Sequence, residues 1–444
     1  METNMDPVKK TGKILIKAVI IGFIILILQL PAFYVTNLIE ERETRQKAAI
    51  EEVSSKWAGR QNIIGPIVVI PYWQYSSDTT SKDRSKQFAY FLPDNLQINA
   101  KAIPEERYRG IYKVILYSAE LSFYGNFGEI QPENLNIPAG NILWNEAFIQ
   151  LNVTDPKGLN DEINITCNNK KYNLSAQNIG NNEGMSALLG ITSQEELQGM
   201  RFSTLLSLNG SQQLLFTPIG KTTMVNLSSK WPHPSFTGDI LPQSQTVKDS
   251  GFSAKWKSLA FKRSAPQQWK GNKPVDYLYQ EKVASDTRIS NLAAPFGADF
   301  FIPVNAYQKT MRSVKYSMLF IVLTFAFFFI IENNNKKSVH PFQYGLIGIA
   351  LILFYTLLLS FAEYTGFNIA YIISSLSVIG LIGWFVKGVL GSTRLAAILS
   401  VVLILTYTYV FTILQLQDFA LILGSVGLFI TLGVIMYFSR KIKW

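Results

Sequence analysis

Two histidines, one cysteine and a GKTT tetrapeptide are the first residues to weigh for chemistry, and each falls short of a site. His233 and His340 lie in different regions. There is no His-Glu-x-x-His and no cysteine pair, so the ligand spacing of a zinc site is missing. GKTT at Gly220, Lys221, Thr222 and Thr223 copies the end of a phosphate loop, but Leu215 stands where the first glycine belongs. It reads as a turn. No Gly-x-Ser-x-Gly elbow exists. Cys167, in INITCNN, cannot pair within the chain and reads as a strand residue. Trp231, Trp256 and Trp269 stand among Lys230, Lys255, Lys257 and Lys270. Rings beside cations can hold sugars or lipid headgroups, yet filling a sheet core is the commoner use. What remains is a polar group between apolar stretches: Glu363, Tyr364, Gln415 and Asp418. These are the candidates for work on lipid or wall precursors at the outer face, or are plain loop residues facing water. No catalytic, cofactor-binding or metal-binding residue is assigned, and no cofactor is expected.

The elements around those residues are set by length. A hydrocarbon core about 30 Å thick needs roughly 20 mostly apolar residues in a crossing helix. Residues 14–35, 314–331, 342–362, 367–386, 395–414 and 419–438 meet that test. The expected fold is an α-helical bundle of six transmembrane helices, with a large all-β, sandwich-like periplasmic domain inserted between helices 1 and 2. That domain covers residues 36–312, with 36–56 a helical stalk. Residues 1–13 form a cytoplasmic N-terminus and 439–444 a cytoplasmic tail. Residues 14–35 read as a retained span rather than a signal peptide, because the apolar run is long and no A-x-A site follows. Lys17, one turn in, is expected to snorkel to the headgroups.

Charge orients the bundle. Lys9, Lys10, Lys13, Lys17, Lys336, Lys337, Lys387, Arg394, Arg440, Lys441 and Lys443 fall on one side of six crossings. The short opposite loops carry Glu363 and Asp418. Positive residues stay inside, so both termini are cytoplasmic and the insert is outside. Lys309, Arg312 and Lys315 are a tolerated exception. The insert has 29 Lys+Arg against 26 Asp+Glu, so most of the chain's net charge of +10 belongs to the membrane flanks. That excludes the concentrated basic face of a nucleic-acid binder and fits anionic lipid. The spans carry their charges at their ends, unlike ion-coupled transporters. Tyr355, Ser360, Ser374, Ser375, Ser377, Thr406, Tyr407, Thr408 and Tyr409 are expected to hydrogen-bond between helices, and Gly345, Gly348, Gly380 and Gly383 to permit close packing.

In the insert, residues 36–56 have strong helix formers and pairs such as Glu41–Arg45 at helical spacing. Leu38, Arg42, Arg45, Ala49, Val53 and Trp57 trace one face. After Trp57 the period becomes two, punctuated by Gly, Pro, Asn and Asp: antiparallel strands. Asn209–Gly210 reads as a hairpin turn. One short helix is expected near Glu195, capped by Thr192 or Ser193. Residues 181–194 and 267–276 are long loops suited to partners.

At this point the chain resembles the CreD-type inner-membrane proteins of bacteria, often labelled cell envelope integrity proteins. The resemblance runs over almost the whole length. It is carried by WAGRQNIIGPIVVIPY, WPHPSFTGDILP, GFSAKW, HPFQYGLIGIALILFYTLLLSFAEYTGFNIAY and LQLQDFALILGS. Trp57, Gly59, Gln61, Pro66, Trp231, Gly238, His340, Pro341, Gln343, Tyr344, Glu363 and Asp418 are among the matching residues. The C-terminus departs, ending IKW where members often end DWY. The resemblance implies an inner-membrane protein with a periplasmic domain, tied to a two-component regulon, colicin tolerance and envelope stability under β-lactam stress. It implies no catalytic residue, substrate or cofactor.

Three functions are therefore expected to compete. The first is a non-enzymatic protein supporting cell envelope integrity and stress tolerance, whose exported β domain meets peptidoglycan, lipid or another envelope protein. The second is a transporter or flippase-like handler of an amphiphilic envelope molecule. The third is a membrane-bound enzyme acting at the outer face. The lipid bilayer is the certain partner, nucleic acid is none, and oligomeric state is not legible.

Overall fold

The computed structural model describes residues 7–75, 84–176, 184–263, 265–271, 294–300, 306–335, 339–416 and 420–439. Asp418, Lys336, Lys337, Arg440, Lys441, Lys443 and parts of the 181–194 and 267–276 loops lie outside the described residues, as do the side chains of Lys9, Lys10 and Lys13. The chain divides into two compact units, Met1–Lys47 with Val304–Trp444, and Ala48–Pro303.

The helices are α1 (Pro7–Ile27), α2 (Gln29–Trp57), α3 (Ala306–Lys315), α4 (Ser317–Asn334), α5 (Pro341–Thr365), α6 (Phe367–Leu390), α7 (Thr393–Gln415) and α8 (Ala420–Ser439). α1 and α2 are nearly one helix. Pro31 has no N–H to offer the carbonyl of Ile27, and the ladder loosens at Leu28. The 36–56 helix is thus the continuation of the first apolar stretch. Leu28, Ala32, Val35 and Ile39 are buried, because the apolar stripe of the first stretch carries on along its own face.

Among the described residues, four helices are long and apolar enough to cross a membrane, or five when α3 and α4, bent by 44°, count as one. Six were expected. Helix already begins at Ala306, before the stretch that length alone marks as apolar, and the bend falls at Tyr316. Residues 419–438 appear as α8, a 20-residue helix without a charged residue.

Leu28 seats against Gly348 of α5, where a Cβ would overlap its methyl, and Gly383 faces Ser400 of α7. Gly345 and Gly380 meet open space. The expectation for the mid-span hydroxyls is corrected in the same way. Ser375, Ser377 and Thr406 turn back to carbonyls of their own helices. Tyrosines make the crossings: Tyr371 donates to the Tyr407 carbonyl at 2.8 Å, and Tyr409 to that of Leu423.

The other unit holds sixteen strands among the described residues. They are β1 (Gln61–Tyr75), β2 (Arg84–Phe91), β3 (Asn95–Arg109), β4 (Tyr112–Asn126), β5 (Phe148–Val153), β6 (Ile163–Cys167), β7 (Lys170–Ala176), β8 (Met185–Leu188), β9 (Arg201–Ser211), β10 (Gln213–Phe216), β11 (Thr222–Ser229), β12 (Pro234–Gly238), β13 (Ser244–Lys248), β14 (Gly251–Leu259), β15 (Gln268–Lys270) and β16 (Phe296–Phe300). One sheet runs β12-β16-β10-β1-β5-β8, with β2 and β15 attached to β1. The second runs β6-β9-β4-β3-β11-β14-β13. β7 pairs with β6 and with β8, so the two join into one nearly closed sheet. Alternate residues point inward, as the period of two requires. Leu96, Ile98 and Ala100 from β3, Val225 and Leu227 from β11, and Ile67, Val69 and Phe148 from the first sheet meet in a single core.

Gly65 is forced. The register of β1 against β5 slips between Ile64 and Ile67, Gly65 takes φ +131°, and a Cβ there would lie 3.0 Å from the Gln150 carbonyl oxygen. Asn209–Gly210 is not a turn. Both lie in β9, where Gly210 pairs with Tyr117 and leaves room for its hydroxyl. The chain changes sheet two residues later, at Gln212, with φ +61°. The short helix near Glu195 is a 3-10 turn, Gln194–Leu197, with Ser193 at its N-cap and the Thr192 hydroxyl donating to Glu196 at 2.7 Å.

Candidate functional site

The polar group expected between the apolar stretches is assembled around α3. α5 ends where Gly366, at φ +78°, opens into α6. This leaves Glu363 in the last turn of α5 and Asn368 in the first turn of α6. Glu363 accepts a hydrogen bond of 3.0 Å from the Tyr307 hydroxyl, and the Arg42 guanidinium lies 3.8 Å away. Its side chain is only 9% exposed. Gln415, the last residue of α7, accepts from Lys309 at 3.0 Å and donates to Asn368 at 2.7 Å. Lys309 also lies 5.5 Å from the centre of the Phe367 ring. So Glu363 and Gln415 are tied to the same short helix through different partners. Tyr364 points away and is 78% exposed. Asp418 lies outside the described residues.

Sequence reasoning missed Arg42, Tyr307, Lys309 and Asn368. The signal was present for one of them: Lys309 belonged to the basic set that broke the charge pattern on that side. A carboxylate held by a hydroxyl from α3 and a cation from α2 ties those helices to the end of α5.

A second polar centre was not expected at all. Lys17, read above as reaching the headgroups, has partners within the helical unit. It donates to the Glu332 carboxylate and, at 2.6 Å, to the Val339 carbonyl. Glu332 also accepts from the Val339 N–H and the Tyr344 hydroxyl, both at 2.8 Å, and is 5% exposed. The ammonium sits 5.9 Å from the Tyr344 ring centre. His340 supports this corner from outside: its Nδ1 accepts from the Phe342 N–H at 3.2 Å and its own N–H donates to Gln343 at 3.0 Å, capping α5. The carboxylate and the carbonyl together give the Lys17 ammonium partners inside the protein.

In the β unit the aromatic and lysine set dissolves into packing. Trp256 is 2% exposed, with its ring centre 5.7 Å from those of Phe236 and Phe296. Trp269 stacks on Tyr90 at 4.9 Å. Gly220–Lys221 is a turn whose Gly220 N–H donates to the Thr223 hydroxyl. Cys167 ends β6, buried, and burial pushes its thiol up to about 12. Such a thiol is inert at neutral pH. Gln61 donates to the carbonyls of Asp155 and Asn209 and accepts from the Asp155 N–H. The Asp155 carboxylate takes the Gly59 N–H at 2.9 Å. The GRQ signature therefore ties β1 to its neighbours.

A solved M1 zinc metallopeptidase from Deinococcus radiodurans aligns at TM-score 0.20 and 9% identity, over 41% of this chain and 42% of that one. A variant of the same enzyme aligns at 0.19. No shared fold follows from scores of that size. The inner membrane protein CreD of Escherichia coli strain K12 is 30% identical over 428 residues, 95% of this chain and 91% of that protein. The family profile described as inner membrane protein CreD matches residues 13–444. The chain belongs to the CreD family of inner membrane proteins.

Proposed function

We propose that the protein supports cell envelope integrity without catalysing a reaction. In this reading it crosses the inner membrane six times with both termini in the cytoplasm, and its β domain stands in the periplasm. The observation that carries the reading is the use made of its polar residues. Glu363, Gln415, Glu332 and Lys17 are each engaged by partners from other helices or loops. That pattern supports a load-transmitting scaffold over an enzyme with groups held open for substrate. Glu363→Gln keeps the Tyr307 contact and is expected to leave envelope phenotype within twofold of wild type at equal protein level. Complete loss of resistance to envelope stress in that variant would contradict the reading and favour outer-face chemistry.

Transport of an amphiphile is the second reading. One observation favours it: the hydroxyls of Tyr355, Ser374 and Tyr407 are buried in the bundle without a partner among the described residues. Mass spectrometry of lipids and glycans carried by the purified protein separates the two. A stoichiometric bound amphiphile supports transport, and a clean protein supports the scaffold.

A further inference from the structure

The outward face of the second sheet is hollow. Its register lines up Asn164, Leu205, Ser122, Asn99 and Asn226 in one row across β6, β9, β4, β3 and β11. The hollow has a volume of about 1000 Å³. Solvated sheet faces are usually covered by long charged side chains, which would fold over such a space. Here the centre is serine and asparagine, too short to fill it.

The lining has three properties that select a ligand. Neutral donors and acceptors recur at the strand spacing, about 4.8 Å, comparable to the length of one sugar ring. Asn99 and Asn226 are joined by one bond of 2.7 Å, which leaves each amide further capacity toward the hollow. Leu205 is 72% exposed and Tyr124 is 47% exposed, so two apolar platforms stand within a polar surface. The charges are two lysines and three carboxylates, close to neutral. A phosphate-rich ligand would need net positive charge here. A chain of uncharged sugars needs what is present: hydroxyl and amide partners for its edges and apolar contacts for its C–H faces.

We infer that this trough binds a neutral glycan chain bearing hydroxyl and acetamide groups. The inference rests on the periplasmic placement proposed above, where such chains are the polymer at hand. It names a row across five strands of one domain as the contact between the protein and the wall.

The test is isothermal titration of the full-length protein with chitotetraose, in a detergent without a sugar headgroup. Wild type is expected to bind with a Kd on the order of 10⁻⁴ M. Ser122→Trp fills the trough and is expected to weaken binding at least tenfold. Leu205→Ser removes an exposed platform, should leave the melting temperature unchanged, and is expected to weaken binding about threefold. No heat with wild type at chitotetraose concentrations up to about 10 mM overturns the inference. So does wild-type affinity in both variants. Because the titration uses purified protein, its failure leaves the membrane topology standing, whereas a cytoplasmic β domain in labelling experiments removes the topology whatever the titration returns.

Discussion

Lys17 and Glu332 illustrate how a bundle keeps charge inside. Each is acceptable only because the other is there, with Tyr344 and Val339 completing the shell. Lys17→Met should strand a buried carboxylate and lower stability by about 3–5 kcal/mol. The double variant Lys17→Met with Glu332→Leu should recover most of that loss. Thermal unfolding in detergent measures both, and simple additivity of the two single changes would contradict the coupling. Asp299 in β16 makes the opposite case. Burial holds its carboxyl above the usual range, against the lowering effects of Gln213 and Arg60. A raised acid means the folded state holds its proton more tightly than the unfolded one. Asp299 therefore weakens the fold as pH climbs past the unfolded value, about 3.9. Asp299→Asn should melt higher than wild type at pH 7, and the difference should vanish below about pH 4. An unchanged melting difference across that range would mean that burial of the charge is not its source.

Helices in this protein meet through small residues at chosen points. Gly348 admits Leu28, where the α1 and α2 helices join, together with the ring of Phe325. Gly348→Val should cost about 1–3 kcal/mol by overpacking. Leu28→Ala placed in the same chain should return part of it, since the clash is with that one methyl. Thermal melts of the single and double variants check this, and an equal loss in both would locate the damage elsewhere. In the β unit the corresponding device is Gly210 beneath the Tyr117 ring. It explains how an Asn-Gly pair ended up in mid-strand: the dipeptide's turn preference is weaker than eleven residues of ladder with β4 and a buried tyrosine.

On the scale of the whole molecule, the side chains of the helical unit are arranged for a bilayer. Leu376, Trp384, Leu405 and Phe429 are more than half exposed. Large apolar groups left exposed on three helices fit lipid better than water. Cys167 is buried and its thiol is held up to about 12, so the native chain offers a silent background for labelling. A charged, membrane-impermeant maleimide should label Tyr364→Cys in cells whose outer membrane has been opened. It should not label Trp384→Cys before detergent is added. Labelling of Trp384→Cys in intact membranes, or none of Tyr364→Cys, would reverse or remove the proposed topology.

Membrane character and the strand-rich middle could be read directly, because both depend on local properties: apolar run length against bilayer thickness, and alternation of two. The CreD family membership was legible too, in GRQ and HPFQY. What those motifs do was not. Gly59 and Gln61 act on Asp155, far along the chain, and Tyr344 acts on Glu332 across the α4–α5 connection, so their roles as staples exist only once the fold brings those partners beside them. The same holds for the candidate polar group. Composition could pick Glu363 and Gln415, but their partners Tyr307 and Lys309 come from a helix that begins in polar sequence. The trough is the clearest case. Its row of short side chains comes from five strands scattered between residues 99 and 226, and no spacing along the sequence records a register across strands.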